Sequence, residues 1–172
     1  VVCDANLSPT STRHKAIATD AQYASLFEER VRNMYGAYKN HTSIVAWSLG
    51  DTRDNGVCMT AAYKQLKRKE KHRPVIFAGA GTGTSTDITA LANPTAATLA
   101  STLGKTTNRP LIMSRSVDAA HIGELSQLWA TACNWRQFQG GFAEIWPADP
   151  TTLAELRTVY RSVDVSLDKV SL

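Results

Sequence analysis

Long apolar runs are missing from this 172-residue chain; no stretch approaches the roughly 18 to 20 consecutive apolar residues of a membrane-spanning helix. Cysteine is scarce. Cys3, Cys58 and Cys133 include no C-x-x-C pair, so no disulfide framework or thiolate metal site is expected, and their apolar surroundings predict buried free thiols. His14, His41, His72 and His121 show no metal-ligand spacing, and no cofactor is expected. Gly79, Gly81 and Gly83 lack the spacing of a dinucleotide fingerprint and are not followed by a helical pattern. Ser114 and Ser116 lack the G-x-S-x-G context of a hydrolase nucleophile. No secretory or transit signal is legible at Val1-Val2-Cys3, although a removed signal leaves no trace. Strong charge of one sign is also lacking, the net charge being +4. The one basic cluster, Lys67 to Arg73, sits where a helix should end, so its cations complement the helix C-terminus. No stacking aromatics interleave with it, and neither a nucleic-acid nor a membrane partner is expected.

What is present describes one globular domain, with 43% hydrophobic and 20% charged residues. Extended apolar runs alternate with helical patterns, which argues for an α/β fold with mostly parallel strands. Strands are expected at Val1 to Cys3, Ile44 to Ser48, Pro74 to Ala78, Pro110 to Met113 and Gln139 to Trp146, with a weaker one at Asp87 to Leu91. A helix capped by Thr19 or Asp20 should run to about Asn40, burying Phe27, Val31, Met34 and Tyr38. A second is expected from about Gly56 to Lys69. A third, from His121 to Trp135, should bury Leu125, Leu128, Trp129 and Ala132. Pro150 opens a last helix with an inward face of Leu153, Leu156, Val159 and Tyr160. The tail from Val163 alternates with period two and reads as a strand outside the layer, so the domain spans 1–162 and the tail 163–172.

Six pieces of the chain, in order, carry a resemblance. Val2-Cys3-Asp4-Ala5-Asn6 is followed by Trp47-Ser48-Leu49-Gly50, then Arg73-Pro74-Val75, Arg109-Pro110-Leu111-Ile112, Gln139-Gly140-Gly141-Phe142, and Pro150 to Tyr160. Together they resemble strands three to eight and the closing helix of the β-galactosidase-type barrel of glycoside hydrolase family 2. The resemblance implies a partial TIM-type (β/α) barrel of about six mostly parallel strands with surrounding helices. A barrel with two strands missing cannot close, because strand number, tilt and shear are linked. Its open edges imply the remainder of a larger polypeptide, or self-association, as partner.

The same resemblance assigns the chemistry that this chain lacks. A retaining glycosidase needs two carboxyl groups about 5 to 5.5 Å apart. In the family the acid/base strand reads W-S-L-G-N-E; here Asp51 replaces the Asn and Thr52 the Glu. The nucleophile pattern L-C-E-Y-A-H reads Met113-Ser114-Arg115-Ser116-Val117-Asp118, so Arg115 stands at the nucleophile position. A guanidinium is permanently cationic and cannot attack. Where relatives carry metal ligands in E-T-H, this chain has Ser8-Pro9-Thr10; no metal site is expected. The family's sugar-stacking tryptophan position is Glu144, although Trp146 remains. No catalytic residue is therefore expected. Asp4, Asp51, Arg115, Asp118, Glu144 and Trp146 are candidate ligand-binding residues at the C-terminal face, and a carbohydrate is the expected ligand. The alternatives are an active glycosidase using displaced Asp118 and Glu144, or an assembly scaffold. Trp47, Trp129 and Trp135 are expected in the core.

Overall fold

The computed structural model describes residues 1–7, 17–50, 55–105, 108–115, 122–142 and 150–160. Strands β1 (Val2–Asp4), β2 (Ala46–Ser48) and β3 (Val75–Ile76) form one parallel sheet in that order. Strands β4 (Thr89–Ala92), β5 (Leu111–Arg115) and β6 (Phe138–Gly141) form a second. A parallel bridge between Ile76 and Ile88 joins the two, so the strand order is sequential across all six. The architecture is the partial α/β barrel that the sequence predicts.

The seam between the sheets is stitched by side chains. Val75 N–H donates to the Asp87 carboxylate at 2.8 Å, and Phe77 N–H donates to the Thr86 hydroxyl at 3.0 Å. Thr86 in turn donates to the Ile88 carbonyl at 2.6 Å. Asp87 also accepts from Tyr63 Oη at 2.6 Å and Lys67 Nζ at 2.9 Å. Burial alone would raise the Asp87 pKa, but these donors outweigh it and hold the carboxyl below its ordinary value.

Helices α1 (Ala24–Tyr38), α2 (Val57–Lys69), α3 (Ala96–Lys105) and α4 (Ile122–Cys133) fill crossovers between strands, and α5 (Pro150–Val159) follows β6. Strand alternation sorts side chains into two layers. Trp47, Val75 and Phe77 pack outward against Val31 and Met34 of α1 and Met59, Ala62 and Leu66 of α2. Leu111 packs outward with Leu99, Leu103 and Leu128, and Met113 with Leu125 and Leu156. The alternate residues Ala46, Ile76, Ala90 and Ile112 form one interior cluster with Val2, Ala78 and Ile88. Members from both sheets meet there, so strands β1 to β5 share a common interior.

Several expectations are corrected. Asp20 does cap, accepting from Gln22 N–H at 3.1 Å, but it opens a 3-10 turn, Ala21–Tyr23, ahead of α1. Tyr38 is exposed, because it ends α1 and its ring lies beside His41 instead of the sheet. Helix α3 has no counterpart in the sequence reading; Thr95 caps it by accepting from Thr98 N–H at 3.1 Å, and Leu99 and Leu103 are its buried stripe. Its small and β-branched residues dilute the apolar period. Cys58 is buried, but Cys3 is half-buried and Cys133, the last residue of α4, is exposed. Trp135 is likewise exposed beyond the end of α4. On α5, Leu156 is buried while Leu153 and Tyr160 are exposed. Among the described residues no further element lies beyond that helix, and the Tyr160 ring meets Trp129 edge-on, 4.4 Å between ring centroids. The tail 163–172 lies outside the described residues.

The basic cluster also divides. Lys67, Arg68 and Lys69 occupy the last turn of α2, as the dipole argument expects. Arg73 instead serves the barrel, donating to Glu70 at 2.7 Å and lying 4.7 Å from the centre of the Trp47 ring.

Candidate functional site

The C-terminal ends of the strands surround a cavity of about 440 Å³. Its apolar walls are Val2, Ile76, Ala78, Ile112 and Phe142; Asp4, Ser48, Gly50 and Ser114 supply polar groups. The arrangement follows from alternation on short strands. Val2 and Asp4 share a face of β1, as do Ala46 and Ser48 on β2 and Ile112 and Ser114 on β5. An apolar floor therefore lies beneath a ring containing one carboxylate and two hydroxyls.

Loop tips fix that ring. Ala5 N–H donates to the Ser48 carbonyl at 2.9 Å, which ties the end of β1 to the end of β2. Gly50 N–H donates to the Ser48 hydroxyl at 3.2 Å. Gly50 adopts φ 102°, and a Cβ there would run into the Leu7 carbonyl, so only glycine lets these backbones approach. Arg30 reaches from α1 to the Asn6 carbonyl at 3.1 Å.

Of the sequence-based candidates, Asp4 lines the cavity, exposed and with no ion pair to any described side chain. Arg115 ends β5, its backbone paired with Ala92 across an irregular step. Asp51, Thr52, Asp118, Glu144 and Trp146 lie outside the described residues. Sequence reasoning missed Ser48, Ser114 and Phe142 as lining residues. The signal for Ser114 was available, since it follows the interior residue Ile112 by two positions.

Elsewhere the titratable groups with strong shifts hold structure. Glu70 is buried, which raises a carboxyl pKa, but it accepts from His72 N–H, Trp47 Nε1, Arg73 N–H and Arg73 Nε and is held at about 2. Tyr63 is pushed up to about 12 by burial and by its bond to Asp87. Burial raises the Cys3 thiol, helped by the neighbouring charge of Asp4. Among the described residues, no group of three or more His, Cys, Asp or Glu side chains could hold a metal ion. Among the described residues, no helix is long and apolar enough to cross a membrane.

Comparison with known proteins places these features in context. Residues 3–161 match the family model described as "Glycosyl hydrolases family 2, TIM barrel domain". The chain is 30% identical over 162 residues to a β-galactosidase of Yersinia enterocolitica, covering 85% of this chain and 15% of that protein. It is 32% identical over 162 residues to the β-galactosidase of Aeromonas hydrophila, covering 85% of this chain and 16% of that protein. The chain thus spans about a sixth of the length of these relatives. Among solved structures, a glycosyl hydrolase family 2 member from Bacteroides cellulosilyticus superposes with a TM-score of 0.62 at 17% identity, over 83% of this chain and 23% of that one. A β-galacturonidase of the same family from Eisenbergiella tayi, bound to glycerol, gives 0.60 at 13% identity, over 88% and 39%. At such identities the structural likeness speaks for the fold alone.

Proposed function

Since this chain belongs to the TIM-barrel domain of glycosyl hydrolase family 2, we propose that it is a β-galactosidase-like module without the catalytic glutamate pair, holding a carbohydrate at the barrel mouth instead of cleaving it. The observation that carries this reading is the pair of residues at the two motif positions, Thr52 and Arg115. A threonine hydroxyl does not supply a carboxylic proton, and an arginine is not a nucleophile in place of a glutamate. What is retained suits binding: a concave volume of about 440 Å³ with apolar walls and a few polar groups.

The sheet edges support a second component of the role. Val1 is exposed at the start of the edge strand β1, and Phe142, Leu153 and Tyr160 are exposed at the β6–α5 end. Among the described residues β1 and β6 are each paired on one side only, so further β/α units, from a longer polypeptide or from another copy, would find strand edge and apolar cover together there.

Hydrolysis of aryl β-galactoside, glucoside and glucuronide substrates tests the reading, with the Asp118→Asn/Glu144→Gln double variant purified in parallel. Turnover no higher than that of the variant is expected. Turnover abolished in the variant would overturn the proposal and establish a rebuilt catalytic pair.

A further inference from the structure

Ser114 carries a hydrogen-bonding group that the fold does not use. Its Oγ is shielded from water and has no partner. Native structures leave few buried polar atoms in this state, because desolvation without a new bond is unfavourable. An alanine at this position would avoid that cost with almost no change of shape. The hydroxyl is therefore retained against the interest of stability, and its surroundings suggest the reason. Ser114 lines the cavity at the strand tips. The residue as a whole is only half-buried, so part of it faces the open volume, and one staggered step of χ1 turns the hydroxyl towards a ligand there.

A second observation concerns charge. Asp4 is the only charged side chain in the described lining, and it has no ion pair with any described residue. It lies on β1 and Ser114 on β5, yet sheet curvature brings both to one cavity. A carboxylate accepts hydrogen bonds from ligand hydroxyls and repels a second carboxylate. A serine hydroxyl both donates and accepts, which suits a ring hydroxyl that must do the same.

We propose that Ser114 and Asp4 are the specificity-determining pair of this cavity, selecting an uncharged polyhydroxylated ring of monosaccharide size over an acidic one. The inference rests on the carbohydrate-binding reading above and deepens it. Ser114 anchors the deepest hydroxyl of the ring, and Asp4 accepts from hydroxyls nearer the mouth. Phe142 and Ile112 present apolar surface to the C–H faces.

Titration of the whole chain with galactose, glucose and galacturonate, followed by ligand-observed NMR, tests the pair alongside Ser114→Ala and Asp4→Asn. Neutral sugars are expected to bind more tightly than galacturonate. Ser114→Ala should weaken the neutral sugars about three- to tenfold, the loss of one hydrogen bond, while its melting temperature stays level or rises. That combination separates a ligand anchor from a structural residue, whose loss would lower the melting temperature. Asp4→Asn should shrink the preference against galacturonate. Unchanged affinity in Ser114→Ala, or galacturonate binding as tightly as galactose, overturns the specificity pair while leaving carbohydrate binding intact. A wild-type chain that binds none of the three overturns both.

Discussion

Trp47 Nε1 donates to the Glu70 carboxylate at 3.0 Å, joining the outer face of β2 to the turn after α2 inside the protein. Arg73 completes the cluster by donating to the same oxygen of Glu70 at 2.7 Å, and its guanidinium also reaches the Lys39 carbonyl at 2.9 Å. The folded pKa of Glu70, about 2, lies below its ordinary 4.5, so the unfolded chain takes up this proton first as pH falls. Its stabilising contribution is complete above pH 4.5 and drains away as pH drops towards 2. Glu70→Gln should cost roughly 1 to 3 kcal/mol near neutral pH, because one acceptor becomes a donor facing buried donors. Urea unfolding at neutral and at acid pH reads this directly. The gap between wild type and variant should narrow in acid; an equal gap at both would remove the charge from the explanation.

Two glycines should respond to alanine in opposite directions. Gly36 lies within α1, and a Cβ there meets nothing within 4 Å. Gly36→Ala should stabilise by about 0.5 to 1 kcal/mol through helix propensity and lost unfolded-state freedom. Gly50, at φ 102° and against Leu7, admits no Cβ. Gly50→Ala should destabilise by about 1 to 3 kcal/mol and also weaken any ligand at the cavity, whose rim it forms. Thermal melts of both variants check the signs, and a stabilised Gly50→Ala would refute the close approach.

How much of this was legible in the sequence depends on distance along the chain. Ala46, Trp47 and Ser48 announce their faces because strand alternation is local, and Val31 and Met34 do so through helical spacing. Glu70 reads as one more charge in a basic run, since its partner Trp47 is 23 residues away and only topology makes them neighbours. Asp87 is similar, receiving Tyr63 and Lys67 from a helix that precedes it by 24 and 20 residues. Helix α3 escaped because Ala and Thr carry little apolar signal. Leu153 and Tyr160 follow the helical period yet stay exposed, because periodicity identifies an apolar face without supplying what covers it.

That uncovered face has a measurable consequence. Val1 is 73% exposed at the start of the edge strand β1, and Leu153 is 39% exposed on α5. Apolar groups beside unpaired strand edges favour edge-to-edge association. Sedimentation velocity over a concentration series should show self-association of the isolated chain, and Val1→Lys combined with Leu153→Lys should shift it towards monomer. A wild-type chain that stays monomeric throughout would show that the edges are protected without further polypeptide.

Thr86 and Thr89, three positions apart, offer the sharpest test of how hydroxyls hold the seam. Thr86 is 2% exposed and Thr89 0%, so burial does not distinguish them. Thr86 Oγ1 accepts from Phe77 N–H and donates to the Ile88 carbonyl, bridging the junction where the ladder between β3 and β4 is reduced to one bridge. Thr89 Oγ1 has no partner. Valine is nearly isosteric with threonine, so each substitution removes a hydroxyl with little change in packing. Thr86→Val leaves a buried N–H and a carbonyl unsatisfied and should cost about 1 to 3 kcal/mol. Thr89→Val removes only an orphan atom and should be neutral or stabilising. Chemical denaturation of the two variants, on the same slope, decides the matter. Equal losses would mean that Thr89 has a partner in solution, and no loss in Thr86→Val would mean that backbone pairing alone holds the two sheets together.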